Sequence, residues 1–360
     1  MTQSPVVLVT GGAGFIGSAL ARYLLRETDV SVVNVDALTY AASPATLAAL
    51  RNHPRHYFVH ADIKDGKALR ATLNQHRPQG VIHLAAETHV DRSIDDPLAF
   101  VETNVVGTCT LLDETLRYWR ALDRSSQRDF RFHHVSTDEV YGSLAANDPA
   151  FTETTPYAPN SPYAASKAAS DHFVRAWHAT HGLPVVSSHS SNNYGAYQFP
   201  EKLIPLMIIK ALRGEEMPVY GEGANIRDWL YVDDHAEALW TIFQRGREGE
   251  CYNVGNSGER RNIDVVRAIC ALLDELSPHV GGLPYERLIR FVTDRPGHDL
   301  RYAMSASKLA KETGWRPRHD FEQGLRRTVE WYLANRPWWE EILNGTYAGE
   351  RLGLKSVGAA

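Results

Sequence analysis

The sequence predicts an α/β fold, a Rossmann-type doubly wound parallel sheet with a smaller mixed α/β region. Short apolar runs alternate with helical patterns as far as about residue 255, which is typical of repeated βαβ units. Several of these runs are apolar on both faces, as buried parallel strands must be. A glycine-rich turn, Thr10–Gly17, joins the first run to the first helical pattern. This strand-turn-helix order is the third indication of such a fold.

The predicted elements follow one another in a regular order. Strands are predicted at Val6–Thr10, Ser31–Val35, Tyr57–His60, Gly80–Leu84, Phe130–Val135, Val185–His189 and Cys251–Val254. Helices are predicted at Gly17–Arg26, Lys67–Gln75, Phe100–Trp119, Pro162–His181, Glu201–Arg213 and Val232–Phe243. The irregular stretch Asn192–Pro200 predicts a loop.

The change of pattern after about residue 190 predicts two interleaved domains. Residues 1–190 plus about 230–255 are expected to form a nucleotide-binding Rossmann domain. About 191–229 plus 256–360 are expected to form a substrate-binding domain. We expect the active site in the cleft between them, where ligand sites often lie.

Composition excludes several classes of function. The chain is 43% hydrophobic and 22% charged, with a net charge of −5, so it has no overall attraction for nucleic acid or membranes. The strand-like Val6–Val9 follows Met1 closely, which argues against a signal peptide. The longest apolar run, Leu203–Leu212, contains Pro205 and Lys210 and is too short to span a bilayer.

The cysteines predict neither disulfides nor a metal site. There are three, an odd number, and they are scattered at Cys109, Cys251 and Cys270. Such spacing favours free thiols in a reducing cytoplasm.

The glycine-rich turn predicts a dinucleotide site. Gly11 and Gly14 permit a tight turn against a pyrophosphate, Gly17 allows close helix packing, and the helix N-terminus attracts phosphate. Asp36 ends the second strand about 20 residues later and can accept both ribose hydroxyls, which favours NAD over NADP. The alternative for the glycine-rich segment is a turn that binds no ligand. The alternative for Asp36 is a turn residue at the end of a strand. Further residues at strand ends that could line the dinucleotide are Asp62, Ile63, Leu84, Ala85 and Ala86.

Tyr163 and Lys167 form the first candidate catalytic pair. Ser161 can cap a helix that begins at Pro162, which places Tyr163 and Lys167 one turn apart on one face. A nearby ammonium lowers the pKa of a phenol, so Tyr163 could act as a base. The alternative is a solvated helix face.

Asp138 and Glu139 form a second pair at the end of the fifth strand, after Ser136 and Thr137, which could hold the same substrate hydroxyl. Two carboxyls in a closed cleft do not easily both ionise, so one can serve as an acid and the other as a base. The alternative is an acidic pair that caps the next segment. A second acid and base exceed what alcohol oxidation needs and favour oxidation coupled to elimination.

Eight segments together resemble the dTDP-glucose 4,6-dehydratase family of the extended short-chain dehydrogenase/reductase superfamily. They are Thr10–Gly17, His83–Ser93, Ser136–Gly142, Ser161–Lys167, Ser191–Gly195, Phe199–Pro205, Ile226–Val232 and Asp294–Asp299. The Thr-Asp-Glu triplet distinguishes these dehydratases from the sugar-nucleotide epimerases of the same superfamily.

The resemblance implies NAD as cofactor, dTDP-glucose as substrate and a division of labour among the candidate residues. Tyr163, tuned by Lys167, would deprotonate the C4 hydroxyl as hydride passes to NAD. Glu139 would remove the C5 proton, and Asp138 would protonate the C6 hydroxyl as it leaves as water. Hydride would then return to C6. Thr137 completes the implied catalytic set.

The resemblance also implies a set of binding residues. Cofactor contacts are implied for Gly11, Gly14, Phe15, Ile16, Gly17, Asp36, Leu38, Thr39, Asp62, Ile63, Leu84, Ala85, Ala86, Thr103, Tyr163, Lys167 and Asn193. Substrate contacts are implied for Thr88, Thr137, Asn192, Lys202, Leu203, Pro218, Val219, Tyr220, Arg227, Asn262, Asp294, Arg295 and His298. Arg227 is the candidate for the diphosphate, because a guanidinium offers paired donors to phosphate oxygens.

Other functions remain open at this point. They are a sugar-nucleotide 4-epimerase, a dehydratase of another nucleoside diphosphate hexose, and a non-catalytic NAD-binding module. The resemblance implies a homodimer, in which the amphipathic segments Phe100–Trp119 and Pro162–His181 would pair into a four-helix bundle. The alternative is that both segments pack within one subunit.

Overall fold

The computed structural model describes residues 4–42, 44–279, 281–294 and 298–345 of the 360-residue chain. Its strands are β1 (Val6–Thr10), β2 (Ser31–Asp36), β3 (His56–His60), β4 (Gly80–His83), β5 (Arg131–Thr137), β6 (Val185–Ser190), β7 (Asn192–Tyr194), β8 (Met217–Tyr220), β9 (Ile226–Tyr231), β10 (Cys251–Val254), β11 (Glu259–Arg261) and β12 (Ile289–Val292). Its helices are α1 (Phe15–Glu27), α2 (Gly66–His76), α3 (Val90–Asp95), α4 (Pro97–Phe100), α5 (Thr108–Ala121), α6 (Arg124–Asp129), α7 (Pro162–His181), α8 (Leu203–Leu212), α9 (Val232–Arg245), α10 (Asn262–Leu276), α11 (Ser307–Thr313), α12 (Phe321–Ala334) and α13 (Arg336–Gly345).

Seven parallel strands form the main sheet, in the order β10-β6-β5-β4-β1-β2-β3. The chain builds outward from β1 to β3 on one side and from β4 to β10 on the other. Where the order reverses, between β1 and β4, the carboxyl ends of the strands border a crevice that suits a ligand. The predicted doubly wound sheet is therefore confirmed.

Alternate residues of the strands pack into two separate cores, because successive side chains of a strand point to opposite faces. On one face, Val7 and Val9 of β1 pack with Leu20 and Leu24 of α1, and α9 covers the same side. On the other face, Leu8 packs with residues of α2, α5 and α7. The sheet is thus covered by helices on both faces, as its apolar strands predict.

A smaller mixed region contains two further sheets. One has the order β11-β9-β7, with β9 antiparallel to β11 and parallel to β7, and the other pairs β8 with β12. Helices α8, α10 and α12 surround a core that contains Ile208, Trp229, Ile269 and Val329. This region confirms the predicted mixed α/β part, while the domain boundaries near residues 190, 230 and 255 stay a prediction.

The predicted loop Asn192–Pro200 is partly wrong, because it begins with β7. This strand has only three residues and pairs with Trp229–Tyr231. Tyr194 is fully buried, and its hydroxyl donates to the carbonyl of Phe321 across 3.1 Å. The residues that pair with this strand lie far away in the sequence. No local alternation of apolar and polar residues therefore predicts it.

The predicted helix Phe100–Trp119 is helical throughout, but it is not α-helical throughout. α4 ends at Phe100, a π-helical segment covers Val101–Gly107, and α5 follows. Within the π-helical segment, Asn104 donates to the carbonyl of Glu87 (3.0 Å) and accepts from its N–H (2.8 Å). A π-segment inside a helical run is often found at a functional site, and Glu87 lines the cleft described below.

No described helix has both the length and the apolarity needed to cross a bilayer.

Candidate active site

The glycine loop between β1 and α1 is built on backbone positions that only glycine fits. Gly11 has φ +71°, and a Cβ there would lie 2.7 Å from the N atom of Ala85. A Cβ on Gly17 would lie 2.1 Å from the carbonyl oxygen of Gly11. The loop therefore packs its backbone directly against α1 and against the end of β4.

Asp36 ends β2 beside this loop and is bound to it. Its Oδ2 accepts the N–H of Ala13 at 2.9 Å, and its Oδ1 accepts the N–H of Leu38 at 2.8 Å. Burial raises the pKa of Asp36, and the two backbone hydrogen bonds lower it in part. The carboxyl group is thus held in a fixed orientation at the edge of the cleft.

One cleft of about 500 Å³ brings most of the predicted residues together. The predicted cofactor residues that line it are Gly11, Gly14, Phe15, Ile16, Gly17, Asp36, Thr39, Asp62, Ile63, Leu84, Ala85, Ala86, Thr103, Tyr163, Lys167 and Asn193. The predicted catalytic and substrate residues that line it, besides Tyr163 and Lys167, are Thr88, Thr137, Asp138, Glu139, Asn192 and Lys202. The glycine loop and both candidate catalytic pairs therefore face the same space.

The carboxylate pair lies in a short 3₁₀ turn, Asp138–Tyr141, which Thr137 caps at the end of β5. The Thr137 hydroxyl accepts the N–H of Glu139 and donates to Asp138 Oδ1, both at 3.3 Å. Asp138 is buried, whereas Glu139 is half-buried. Burial and then repulsion from Glu139 raise the pKa of Asp138 well above its usual range, and Arg227 opposes this in part. The raised pKa favours the protonated form of Asp138.

Tyr163 and Lys167 lie on the first turns of α7. Ser161 caps this helix by accepting the N–H of Ala164 at 3.1 Å, as its sequence predicts. Both side chains are buried, and Lys167 Nζ donates to the carbonyl of Val135 at 2.9 Å. Burial lowers the pKa of Lys167 to about 8, and Asp171 opposes this.

The expected lowering of the Tyr163 pKa is not found in the protein alone. Burial, followed by the charge of Glu139, raises the pKa of Tyr163, while a hydrogen bond with Thr137 lowers it in part. Sequence spacing shows that Lys167 is near, but it does not show how deeply the phenol is buried. Ser136 lines the cleft, and its hydroxyl donates to Asp171 at 3.0 Å, so it could meet a substrate hydroxyl only as an acceptor.

Other predicted substrate residues lie outside the residues that line this cleft. The ring of Tyr220 is perpendicular to that of His298, and His298 Nδ1 lies within hydrogen-bond distance of Asp294 Oδ1, at 2.6 Å. Arg227 is buried against the ring of Tyr302 and donates to the carbonyl of Asp299 at 2.9 Å. The charge of Arg227 acts on the pKa of Asp138, so Arg227 lies close to the carboxylate pair.

The remaining predicted contacts have other surroundings. Val219 is buried in the core of the smaller region, and Leu203 is partly buried against the same core. Asn262 begins α10, next to the β11 strand, and Pro218 belongs to β8. Leu38 touches the site through its backbone, which holds Asp36. Arg295 lies outside the described residues.

Sequence reasoning missed Glu201, which lines the cleft. It is buried, and its Oε2 lies 3.3 Å from Arg92 Nε and 3.8 Å from His89 Nε2. Arg92 in turn stacks over the ring of Tyr40, at 3.9 Å from the ring centre. The available signal in the sequence was a single carboxylate within Phe199–Pro205, a stretch of mostly apolar residues.

His235 was also missed. Its Nδ1 lies 2.8 Å from Asn193 Oδ1, and burial lowers the pKa of His235 to about 3. The neutral ring can donate from Nδ1 to the amide oxygen, which leaves the amide nitrogen to donate to the Ser191 carbonyl at 2.9 Å. His235 therefore orients Asn193, and no local pattern marks it.

Comparisons with known proteins agree with this geometry. The family model described as GDP-mannose 4,6 dehydratase matches residues 8–328. A dTDP-glucose 4,6-dehydratase of Escherichia coli is 54% identical over 358 residues, which are 97% of this chain and 99% of the relative. One from Xanthomonas campestris pv. campestris strain B100 is 57% identical over 348 residues, 96% of this chain and 98% of the relative.

A solved structure is similar throughout. The dTDP-glucose 4,6-dehydratase of Bacillus anthracis, in complex with NAD, superposes with a TM-score of 0.83 at 42% identity. The match covers 94% of this chain and 100% of that one. The chain therefore belongs to the dTDP-glucose 4,6-dehydratase family of extended short-chain dehydrogenases/reductases.

Proposed function

We propose that the protein converts dTDP-glucose to dTDP-4-keto-6-deoxyglucose with NAD as a recycled cofactor. The observation that carries this proposal is the meeting of two acid–base pairs in one cleft. Tyr163 and Lys167 suit oxidation at C4, and Asp138 and Glu139 suit loss of water between C5 and C6. All four line the same space as the glycine loop.

The residues around the glycine loop fit NAD. The N-terminus of α1 supplies N–H donors where a pyrophosphate would lie. Asp36 is fixed by Ala13 and Leu38, and its carboxylate suits two ribose hydroxyls and repels a 2′-phosphate. NAD, when bound, would accept a hydride from a carbon atom and could return it later.

The first step requires a base at the C4 hydroxyl. Tyr163 accepts this proton in its phenolate form, and a hydrogen bond with Thr137 orients its oxygen. Because burial raises the pKa of Tyr163, the proton transfer needs positive charge beside the phenol. Lys167, one helical turn away on the same face, supplies such a charge.

The elimination requires a base for the C5 proton and an acid for the C6 hydroxyl. Asp138 keeps its proton because its pKa is raised by burial and by Glu139, so it donates to the departing hydroxyl. Glu139 is half-buried and removes the C5 proton, which the C4 ketone acidifies. An acid–base pair with separated roles is the usual result when two carboxyls share a site.

The nucleotide specificity is tested by offering dTDP-, UDP-, CDP- and GDP-hexoses to the purified protein. Formation of a 4-keto sugar is followed by its alkali-induced chromophore, and the product is identified by mass spectrometry. We expect the chromophore with dTDP-glucose and loss of one water from the substrate mass. A product of unchanged mass would instead identify a 4-epimerase, the alternative that the Asp138–Glu139 pair argues against.

The protein is also proposed to form a homodimer through α5, α7 and the neighbouring helical turns. Supporting this, apolar side chains stand exposed there, with Leu98 71%, Val106 50% and Phe173 37% accessible. A cluster of this kind on one surface is typical of an interface. Leu98→Glu with Val106→Glu should reduce the mass found by sedimentation to that of one chain, whereas Phe291→Glu, at an exposed position of β12, should not.

A cytoplasmic location completes the proposal. Cys109, Cys251 and Cys270 are all free thiols in the structure, and free thiols persist in a reducing compartment. Fractionation of cells that express the protein tests this.

A further inference from the structure

A second cluster of reactive groups lies directly behind the cleft, next to the lining residue Ser136, whose hydroxyl donates to Asp171 at 3.0 Å. Asp171 follows Lys167 by one turn of α7, His189 belongs to β6, and Cys251 begins β10. Cys251 Sγ lies 2.8 Å from His189 Nδ1, and His189 Nε2 lies 2.9 Å from Asp171 Oδ2. A thiol, an imidazole and a carboxylate in this order form the arrangement that activates a thiol nucleophile.

The position of the proton on Nε2 follows from Asp171. Burial raises the pKa of this carboxyl, but His189 and His134 outweigh burial and hold the pKa well below its usual range. Asp171 is therefore a carboxylate, which can only accept hydrogen bonds. His189 Nε2 must carry a hydrogen in order to donate to it.

The proton on Nδ1 follows from a chain of neighbouring hydrogen bonds. The carbonyl of Phe151 accepts from Asn253 Nδ2 at 3.2 Å, so Asn253 presents Oδ1 to the Tyr141 hydroxyl at 2.9 Å. The Tyr141 hydrogen then points to Asn253. The Tyr141 oxygen, 3.1 Å from His189 Nδ1, can only accept from it.

Both ring nitrogens of His189 therefore carry hydrogens, and the ring is an imidazolium. Burial lowers the pKa of His189, but Cys251 and Asp171 raise it further, to about 10. This cationic ring lies 2.8 Å from the Cys251 sulfur, where it stabilises negative charge that develops on an attacking sulfur.

We propose that Cys251 is a peroxide-reactive cysteine activated by His189, and so a site of oxidative modification outside the cofactor cleft. Cys251 is partly exposed, and β10 is an edge strand of the main sheet. A small oxidant can approach from this edge. The residues that line the cofactor cleft do not include Cys251, so the nucleotide sugar is not its reaction partner.

The proposed step balances as a two-electron oxidation of sulfur by a peroxide. The Cys251 sulfur attacks one peroxide oxygen, the S–O bond forms and the O–O bond breaks. Sulfur becomes a sulfenic acid. The departing hydroxide takes the proton from His189 Nδ1 and leaves as water.

Cys109 offers a matched control within the same chain. It is also partly exposed, but burial raises the pKa of its thiol. The holoenzyme is treated with hydrogen peroxide and dimedone, which traps sulfenic acid, and the cysteine peptides are quantified by mass spectrometry. We expect the adduct on Cys251 and little on Cys109. Equal or lower trapping at Cys251 would overturn the proposal.

Two further measurements isolate the role of His189. At neutral pH, iodoacetamide should alkylate Cys251 faster than Cys109, because burial raises the pKa of the Cys109 thiol. His189→Asn removes the imidazole that lies 2.8 Å from the Cys251 sulfur, so alkylation of Cys251 at neutral pH should slow severalfold. An unchanged rate in a folded variant would show that His189 does not activate the thiol.

Cys251→Ser separates this chemistry from the main activity. The serine hydroxyl can keep the hydrogen bond to His189, so dehydratase turnover should stay close to the parent rate. The dimedone adduct at this position should disappear. If peroxide forms the same total amount of adduct in Cys251→Ser, the modified cysteine is another one and the proposal fails.

Discussion

Lys167 donates a hydrogen bond to the main-chain oxygen of Val135 across 2.9 Å, which ties α7 to β5 beside the cleft. The two elements carry the two candidate catalytic pairs, because β5 leads into Asp138 and Glu139 while α7 carries Tyr163. Burial lowers the pKa of Lys167 to about 8. Loss of the Lys167 proton near this pH therefore removes the positive charge that lies between the two pairs.

This pKa predicts an alkaline limit to activity. A lysine is charged below its pKa and neutral above it, so kcat/KM should fall as pH rises through about 8. Lys167→Arg, whose guanidinium stays charged, should be slower but should lose this fall. The measurement is the pH profile of kcat/KM, which reports on the free enzyme. An identical alkaline fall in Lys167→Arg would assign it to another group.

The division of labour between the pairs can be tested in a single turnover. Asp138→Asn with Glu139→Gln keeps Tyr163 and Lys167, so C4 should still be oxidised on mixing with dTDP-glucose. Elimination should be slowed, since general acid–base groups are worth about 10²–10⁴-fold each. The absorbance of reduced nicotinamide should therefore rise and persist. Tyr163→Phe should show no such rise.

Two outcomes would contradict this scheme. Product formation at the parent rate in the double carboxylate variant would make Asp138 and Glu139 structural caps of the turn after β5. A normal rise of reduced nicotinamide in Tyr163→Phe would place the first proton acceptor elsewhere.

Asp36 predicts a strong preference for NAD(H), and purified protein should carry it tightly. Asp36→Ala removes the carboxylate that repels a 2′-phosphate, so the ratio of NAD to NADP affinity should fall. The measurement is titration of cofactor-stripped protein with each nucleotide. An unchanged ratio would mean that Asp36 does not contact the ribose.

Gly17→Ala should abolish tight NAD binding, because its Cβ would lie 2.1 Å from the Gly11 carbonyl oxygen. Gly182→Ala is the matched control. It forces an alanine to φ +70° at the end of α7, with nothing within 4 Å of the new Cβ. The control should lose about 1–2 kcal/mol of stability and keep its cofactor, as measured by thermal unfolding and by the NAD content of the purified protein. Equal loss of NAD in both variants would refute a local role of Gly17.

The sequence predicts elements well where their signals are local. α7 begins and ends as predicted, because Ser161 and Pro162 mark its start and Gly182 adopts the left-handed conformation after its last residue. Where partners are distant, prediction fails. β7 depends on pairing with β9, and the π-helical segment before α5 depends on Asn104 reaching Glu87 and Ser166.

Prediction of the candidate site from the sequence also fails where a property depends on residues that are distant along the chain. Residue types and spacing are enough to place Tyr163, Lys167, Asp138 and Glu139 in one cleft. They do not show burial, which sets the opposite shifts of the Lys167 and Tyr163 pKa values. Glu201 and His235 were missed because their roles depend on neighbours that lie far along the chain.

The double attachment of Asp36 restricts how cofactor choice can change in evolution or by engineering. The Asp36 carboxyl, which would discriminate between NAD and NADP, also accepts hydrogen bonds from the backbone N–H groups of Ala13 in the glycine loop and Leu38 after β2. A single replacement by a small or basic residue therefore releases the loop at the same time as it admits a 2′-phosphate. A lineage that switches to NADP needs a second substitution that supplies a new acceptor for the Ala13 N–H, so intermediates with one change are expected to bind both cofactors poorly.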